Sequence, residues 1–327
     1  MSWRDTPLTR RLGLRVPIIS APMAGGPATP ALAAEVSAAG GLGSIAGAML
    51  RPDDLREAIR FVRARTDAPF AVNLFAPLPA PSTDRVAAWS ALTGVAAPAQ
   101  TSLPDVDDQI AVVVAERVPV FSFTFGIPPL DAVRATGAVV IGTATTVAEA
   151  AALEASGVDA VVAQGYEAGG HRGTFLGPVD SSLIGTLALV PQVADAVSVP
   201  VIASGGIMDG RGIAAALALG GHGVQLGTAF LTSTEAGTTE AHRNALASDT
   251  TITRVLTGRH ARAVRTAVVD RLEAAGLEPP GYPLARFLSP EPPMLAGQGG
   301  PLARRMPAAE LIAALIAETD ATLARLG

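Results

Sequence analysis

The chain contains no cysteine and no lysine in 327 residues, so all 24 of its basic side chains are arginines. The missing thiol excludes disulfides, thiol nucleophiles and thiolate-held metals, and it fits a reducing compartment. The missing amine excludes chemistry through a lysine Schiff base. Charge is sparse at 16% of residues, with a net charge of -5 and arginines scattered along the chain, so nucleic acid is not an expected partner. No apolar run is long enough to span a bilayer, and the opening "MSWRDTPLTRRLGLRVPII" lacks the apolar stretch of a secretory signal. No HExxH, paired histidines or carboxylate cluster signals a metal. These absences predict a cytoplasmic protein without a membrane partner or a metal.

What is present is a chain that is 49% hydrophobic, with a regular alternation of segment types. Candidate strands are "PIISAPM" (17–23), "LGSIAG" (42–47), "FAVNLF" (70–75), "PVFSFTF" (119–125), "AVVIGTAT" (138–145), "DAVVAQG" (159–165), "PVIASGG" (200–206) and "GVQLGTAF" (223–230). Their continuous apolarity is that of parallel strands buried on both faces. Helices between them carry their own punctuation. Thr29 and Pro30 open one that ends before Gly40, "RPDDLREAIRFVRART" has acids first and arginines last, and Thr146 to Gly157 repeats the cap-helix-glycine scheme. Eight strands alternating with helices predict an α/β fold, a (β/α)8 TIM barrel, in preference to a doubly wound sheet.

Two stretches break the rhythm. Residues 76–105 are proline-rich and read as an irregular excursion over the barrel mouth. Residues 232–305 read as a small substrate-side subdomain with one helix and an arginine-rich piece, "GRHARAVR". The barrel then comprises 1–231 and 306–327, and the closing "PAAELIAALIAETDATLARL" supplies a last amphipathic helix against its wall.

Active sites of such barrels lie at the carboxyl ends of the strands. Those ends hold Pro22, Met23, Asn73, Thr124, Thr145, Gln164, Ser204, Gly205, Gly206, Gly227 and Thr228. Loops after the seventh and eighth strands often bind phosphate, and the Gly205-Gly206 pair with the Thr228 hydroxyl suits that, ordinary turns being the alternative. The amides of Asn73 and Gln164 match the donor and acceptor edge of a flavin ring, or they satisfy buried loop backbone. His171, in the glycine-rich "QGYEAGGHRG", is the candidate catalytic residue. A neutral imidazole there can take a proton from a carbon acid, and a protonated one can hold an anion; the alternative is a histidine that only shapes the loop. Of the others, His222 reads as structural and His242 as part of a solvated helix face. His260, among Arg259, Arg262 and Arg265, reads as a solvated basic surface or a contact to carboxylate or phosphate. Glu167 is assigned to orienting the His171 loop, and Asp209 and Arg211 to capping a helix.

The stretches "PIISAPMAGG", "AAGGLGSIA", "FAVNLF", "VDAVVAQGYEAGGHRG", "IASGGIMDGRGIAAALALG", "VQLGTAF" and "GQGGPLARRMPAAELI" resemble the nitronate monooxygenases, formerly 2-nitropropane dioxygenases. The resemblance implies an FMN-dependent barrel with flavin contacts from Ala21, Pro22, Met23, Asn73, Gln164 and Gly169. It implies phosphate contacts from Gly206 and from Gln225, Leu226, Gly227 and Thr228, with Gly205 beside them, and His171 as the catalytic histidine. Thr124, Gly170 and Gln298 are expected toward the substrate. The reaction implied is oxidation of alkyl nitronates, such as propionate 3-nitronate, with O2 to a carbonyl compound and nitrite. Two departures bear on the substrate: "SFTFG" places Thr124 where the family tends to have histidine, and the segment before "GQGG" is short, with Tyr282 its one tyrosine. An FMN-dependent NAD(P)H reductase of quinone or enoyl-thioester type and a non-catalytic flavin-binding barrel are the competing readings. The expected partners are a small molecule and O2, in a monomer or homodimer.

Overall fold

In the computed structural model, which describes residues 2–97 and 102–327, the predicted strands form one parallel sheet. They are β1 (Ile18–Ser20), β2 (Gly43–Ala46), β3 (Phe70–Phe75), β4 (Val120–Thr124), β5 (Val139–Ala144) and β6 (Ala160–Gln164), then, past a two-residue β7 (Gly170–His171), β8 (Val201–Ser204) and β9 (Gly223–Leu226). The order β1-β9-β8-β6-β5-β4-β3-β2 closes on itself through a parallel bridge between Ile19 and Leu42. The fold is therefore the α/β TIM barrel expected from the alternation.

Helices lie between and around the strands: α1 (Pro7–Leu12), α2 (Pro30–Ala38), α3 (Pro52–Arg63), α4 (Val86–Thr93), α5 (Val106–Ala115), α6 (Asp131–Ala135), α7 (Val147–Ala155), α8 (Thr186–Ala196) and α9 (Gly210–Ala218). Thr29 and Thr146 accept the N–H three residues on in α2 and α7, and Pro30 opens α2. Successive side chains of each strand point to opposite faces, and both faces are dry. Ile19, Ala71, Val120, Ile141, Ala160, Val162 and Ile202 form the inner cluster with Leu8 and Leu12 of α1. Ile18, Val72, Phe121, Val140, Val161, Val201 and Val224 face outward onto Leu32, Leu55, Ile59, Leu153 and Ile213 of the helices. Burial on both sides is why period-two alternation is missing from the sequence.

Beyond β9 the chain carries α10 (Glu240–Ala245), β10 (Thr250–Thr253), β11 (Ala261–Val264), α11 (Ala267–Ala274) and α12 (Leu284–Phe287), where the sequence suggested one helix. β10 and β11 pair antiparallel, and β11 also pairs with β7, opposing Ala261 to His171 and Arg262 to Gly170. The 76–105 excursion is not wholly irregular: α4 lies in it, and its buried Trp89 packs on Val255, Leu256, Val269, Leu272 and Leu288. Residues 98–101 of that stretch lie outside the described residues. The last helix, α13 (Ala308–Leu326), returns to the barrel wall, packing beside α9 and α2 through Leu311, Ile312 and Leu315. No described helix is long and apolar enough to cross a membrane.

Candidate active site

Strand parity builds the site. The inward positions run apolar through the barrel and turn polar at its carboxyl end: Ala71 is followed by Asn73, Val120 by Ser122 and Thr124, Ile141 by Thr143, Val162 by Gln164 and Ile202 by Ser204. All six polar ends, with Gln225, line one cavity of about 230 Å³. Among the described residues its lining also includes Ala21, Pro22, Met23, Gly169, Gly170, His171, Gly205, Gly206, Gly227 and Thr228, and no aspartate or glutamate. Ser122 and Thr143 were missed in the sequence; counting two back from Thr124 and Thr145 along one strand face identifies both. Thr145 lies outside the lining, bonded to Glu149 and Thr174.

Two of the expected residues do not line the cavity. Leu226 has outward parity and is buried in the outer core; only its carbonyl, which accepts from Ala21 N at 2.8 Å, faces the site's first loop. Gln298 is exposed and absent from the lining, although its neighbours Gly297 and Gly299 belong to it. Its N–H is bonded to the Glu167 carbonyl at 3.0 Å, which turns the side chain outward.

In the cavity lining, Gly205 and Gly206 have φ of +121° and +71°, values that favour glycine. The N–H groups of Gly205, Gly206, Gly227 and Thr228 have no acceptor among the described residues. The Thr228 hydroxyl accepts from Gly297 N at 2.9 Å, which leaves its own proton free to donate. Unpaired donors at the ends of two adjacent strands can together hold an anion in a cradle.

His171 lines the same cavity. Its loop is tied down by groups that are themselves buried. The Gln164 amide donates to His171 O at 3.0 Å and accepts from Gly173 N at 2.8 Å, so it satisfies loop backbone while lining the cavity. Arg172, 1% exposed, donates to the carbonyls of Gly165, Gln164 and Ser182, and burial pulls its guanidinium down to about 10. Glu167 accepts from Thr186 N and Oγ1, anchoring the same loop from below. Arg262, expected in solvent, is buried and bonds Tyr166 O; Arg259 lies 3.9 Å over the Phe125 ring and bonds Thr174 O. Part of the basic run is a strand folded onto the histidine loop, so the solvated-surface reading fails for Arg262 and Arg259, while His260 is half-buried and Arg265 is exposed beside Asp270. His242 is likewise buried, lines the cavity and donates to Leu295 O at 3.1 Å. His222 accepts from Val201 N and is structural; Asp209 caps α9.

The imidazole sits in an aromatic and cationic box. Its ring lies 5.1 Å from Tyr282 and 5.8 Å from Phe125, both edge-on. Phe125 has φ +77°, a strained conformation for a bulky residue that Phe75 at 4.5 Å and Arg259 hold in place. Arg286 lines the cavity with no carboxylate partner among the described residues. Burial, and then the charges of Arg259 and Arg286, hold the His171 pKa down at about 3, from 6.5. Burial also pushes the Tyr282 phenol up to about 12. The histidine is therefore neutral in a site biased toward negative ligands. A depressed histidine pKa contributes stability above about 6.5 that is lost as pH falls toward about 3, because only the unfolded chain takes up the proton in that window. Urea unfolding across that window is expected to show the slope, and His171→Asn to flatten it by up to one proton; an unchanged slope would place the histidine in water. No described group of His, Asp or Glu side chains is arranged to hold a metal.

The chain is similar to known proteins over nearly its whole length. The sequence model of the nitronate monooxygenase family matches residues 7–318. A nitronate monooxygenase of Pseudomonas aeruginosa is 45% identical, with 95% of this chain and 98% of that protein covered. Among solved structures, a nitroalkane oxidase from Streptomyces ansochromogenes superposes with a TM-score of 0.89 at 38% identity, covering 98% and 99% of the two chains. FabK from Thermotoga maritima superposes with a TM-score of 0.78 at 32% identity, covering 98% of each.

Proposed function

The chain belongs to the nitronate monooxygenase family, and from that premise we propose that it is an FMN-dependent enzyme oxidising alkyl nitronates, propionate 3-nitronate among them, with O2 to a carbonyl compound and nitrite. As a family member it is an oxidoreductase acting on small molecules, and oxidation of nitronates in general follows from the family and the nitroalkane oxidase likeness. The observation that carries the finer reading is a cavity with no acidic side chain among its described lining residues. Its lining combines the unpaired N–H groups of Gly205, Gly206, Gly227 and Thr228 with the mutually close Arg286, Tyr282 and neutral His171.

The residues present fit FMN. Gly205, Gly206, Gly227 and Thr228 would hold its phosphate, and Ala21, Pro22, Met23, Asn73, Gln164 and Gly169 would contact its ring; when bound, FMN supplies the electron acceptor. The protein's own groups do the rest. Arg286 offers an uncommitted charge to an anionic substrate, and Thr124 and Gly170 border the space left for it. Phe75, Phe125 and Tyr282 exclude water on that side, and a low local dielectric strengthens the ion pairing. An anion seated against Arg286 offsets that residue's share of the push on His171, while burial, the larger cause, still keeps the imidazole neutral.

Gly206→Val tests the cradle. The substitution forces a branched side chain into φ +71° with its Cβ 3.3 Å from Glu167 Cβ, displacing an N–H from the phosphate. The loss of one hydrogen bond to a charged group predicts about 10- to 100-fold weaker FMN binding, measured by flavin titration of the apoprotein. Unaltered affinity would remove Gly206 from the phosphate site. The reductase reading predicts a different spectrum: anaerobic protein is expected to bleach with nitronate and not with NADH. Bleaching by NADH alone would transfer the proposal to that class.

A further inference from the structure

We infer that Thr257 is a positioning residue that holds His171 as its Nε2–H tautomer and so makes Nδ1 the proton-accepting atom of the cavity. The inference deepens the reading of His171 given above and rests on it for its catalytic meaning.

A neutral imidazole has one donor and one acceptor nitrogen, so identifying one settles the other. His171 Nε2 lies 3.0 Å from Thr257 Oγ1. A threonine hydroxyl has a single proton. That of Thr257 is given to the carbonyl of Arg259, at 2.9 Å, closing the turn Thr257-Gly258-Arg259 just before β11. No other donor reaches that carbonyl among the described residues, and the Thr257 side chain is wholly buried, so turning the proton toward His171 would leave a carbonyl unsatisfied. The hydroxyl oxygen therefore accepts, as it also does from Arg259 N at 3.4 Å, and His171 Nε2 must carry the hydrogen. Nδ1, which has no hydrogen-bond partner among the described residues, is left with its lone pair on a ring that lines the cavity.

The sheet makes the arrangement rigid. Ala261 opposes His171 across the β11–β7 ladder and Arg172 N donates to His260 O at 2.9 Å, so His171 is carried on paired backbone, while the turn holding Thr257 is tied by Thr257 N to Arg254 O at 3.2 Å. For a nitroalkane, the consequence is a defined proton transfer. The α C–H bond breaks, its electron pair passes into the nitro group to give the nitronate, and the proton goes to Nδ1. The imidazolium that forms keeps donating Nε2–H to Thr257, now as a stronger, charge-assisted bond.

Long-range 1H–15N correlation on protein labelled at its four histidines reads the tautomer directly, with the His171 signals identified by their loss in His171→Asn. The expected spectrum has a protonated Nε2 and a bare Nδ1, kept in Thr257→Ser and lost or mixed in Thr257→Val. A protonated Nδ1 in the unmodified protein would overturn the inference. So would the same single tautomer in Thr257→Val with unimpaired turnover. Because the spectrum needs no substrate, it fixes the tautomer even if nitronate oxidation is not the activity. In turnover, Thr257→Val is expected to lower the rate with a primary nitroalkane about 10-fold or more, a part of the ~10²–10⁴-fold that a positioned base supplies. The preformed nitronate is expected to lose less and Thr257→Ser to recover the rate. Equal losses on both substrates would reduce Thr257 to a packing role.

Discussion

His171→Asn is expected to keep the yellow colour of bound flavin and to lose most turnover, by about 10²–10⁴-fold, the usual contribution of a positioned proton-transfer group. The reason is chemical. Asparagine retains a short polar side chain but has no nitrogen that can gain or release a proton near neutral pH. Asn73 and the glycines proposed to hold phosphate lie on or follow other strands, so the proposed cofactor contacts do not pass through the side chain of residue 171. Steady-state rates with nitronate and with nitroalkane, beside the flavin-to-protein ratio, check both halves of the expectation. Undiminished turnover would take the histidine out of the mechanism. Loss of the flavin along with activity would show that the imidazole is part of the cofactor site and not a group acting on substrate.

Glu149→Ala is expected to produce the largest loss of stability. The carboxylate is wholly buried and accepts four hydrogen bonds, from Thr145 N and Oγ1 at 2.6 Å each and from Phe175 N and Leu176 N at 2.6 and 2.9 Å. Alanine leaves three backbone donors without a partner. At about 1–3 kcal/mol for the buried Thr145 N–H, and less for the partly exposed Phe175 and Leu176 N–H groups, the cost is on the order of 2–4 kcal/mol. Chemical denaturation measures it, and a change below about 1 kcal/mol would mean that water replaces the carboxylate. Because Phe175 follows the Gly173 and Thr174 backbone that leads out of the histidine loop, a loss of activity beyond the loss of folded protein is also expected.

Glu149 illustrates where legibility stopped. Thr146 and Glu149 have the spacing of a capping box, and Thr146 does cap α7. The glutamate instead turns to Thr145 and to a loop 26 residues away, a partner that no local spacing encodes. The arginines of "GRHARAVR" mislead for a similar reason. In isolation three arginines and a histidine suggest water, yet Arg262 is buried over the Tyr166 ring, at 4.4 Å, once β11 pairs with β7. His242 reads as solvated in the sequence because its short helix has no apolar stripe to mark a buried face, and its partner Leu295 is 53 residues on. Leu226 adjoins Gly227 at the site, whereas strand parity turns its side chain outward.

The barrel itself was legible because parallel strands buried on both faces must be continuously apolar, and eight such runs alternating with capped helices leave few other architectures. The cavity end was legible for a related reason: side-chain parity forces the inward positions to change from apolar to polar where the barrel opens. The glycine pair at Gly205 and Gly206, needed for positive φ, marks the cradle in the sequence itself. What only the tertiary structure decided is the company His171 keeps. Arg259 and Arg286 set its charge state, Tyr282 and Phe125 enclose it, and Thr257 receives its hydrogen. All five come from segments 46 to 115 positions away in sequence, joined by β-sheet pairing and packing, and pairing between distant segments leaves no periodic signature in either one.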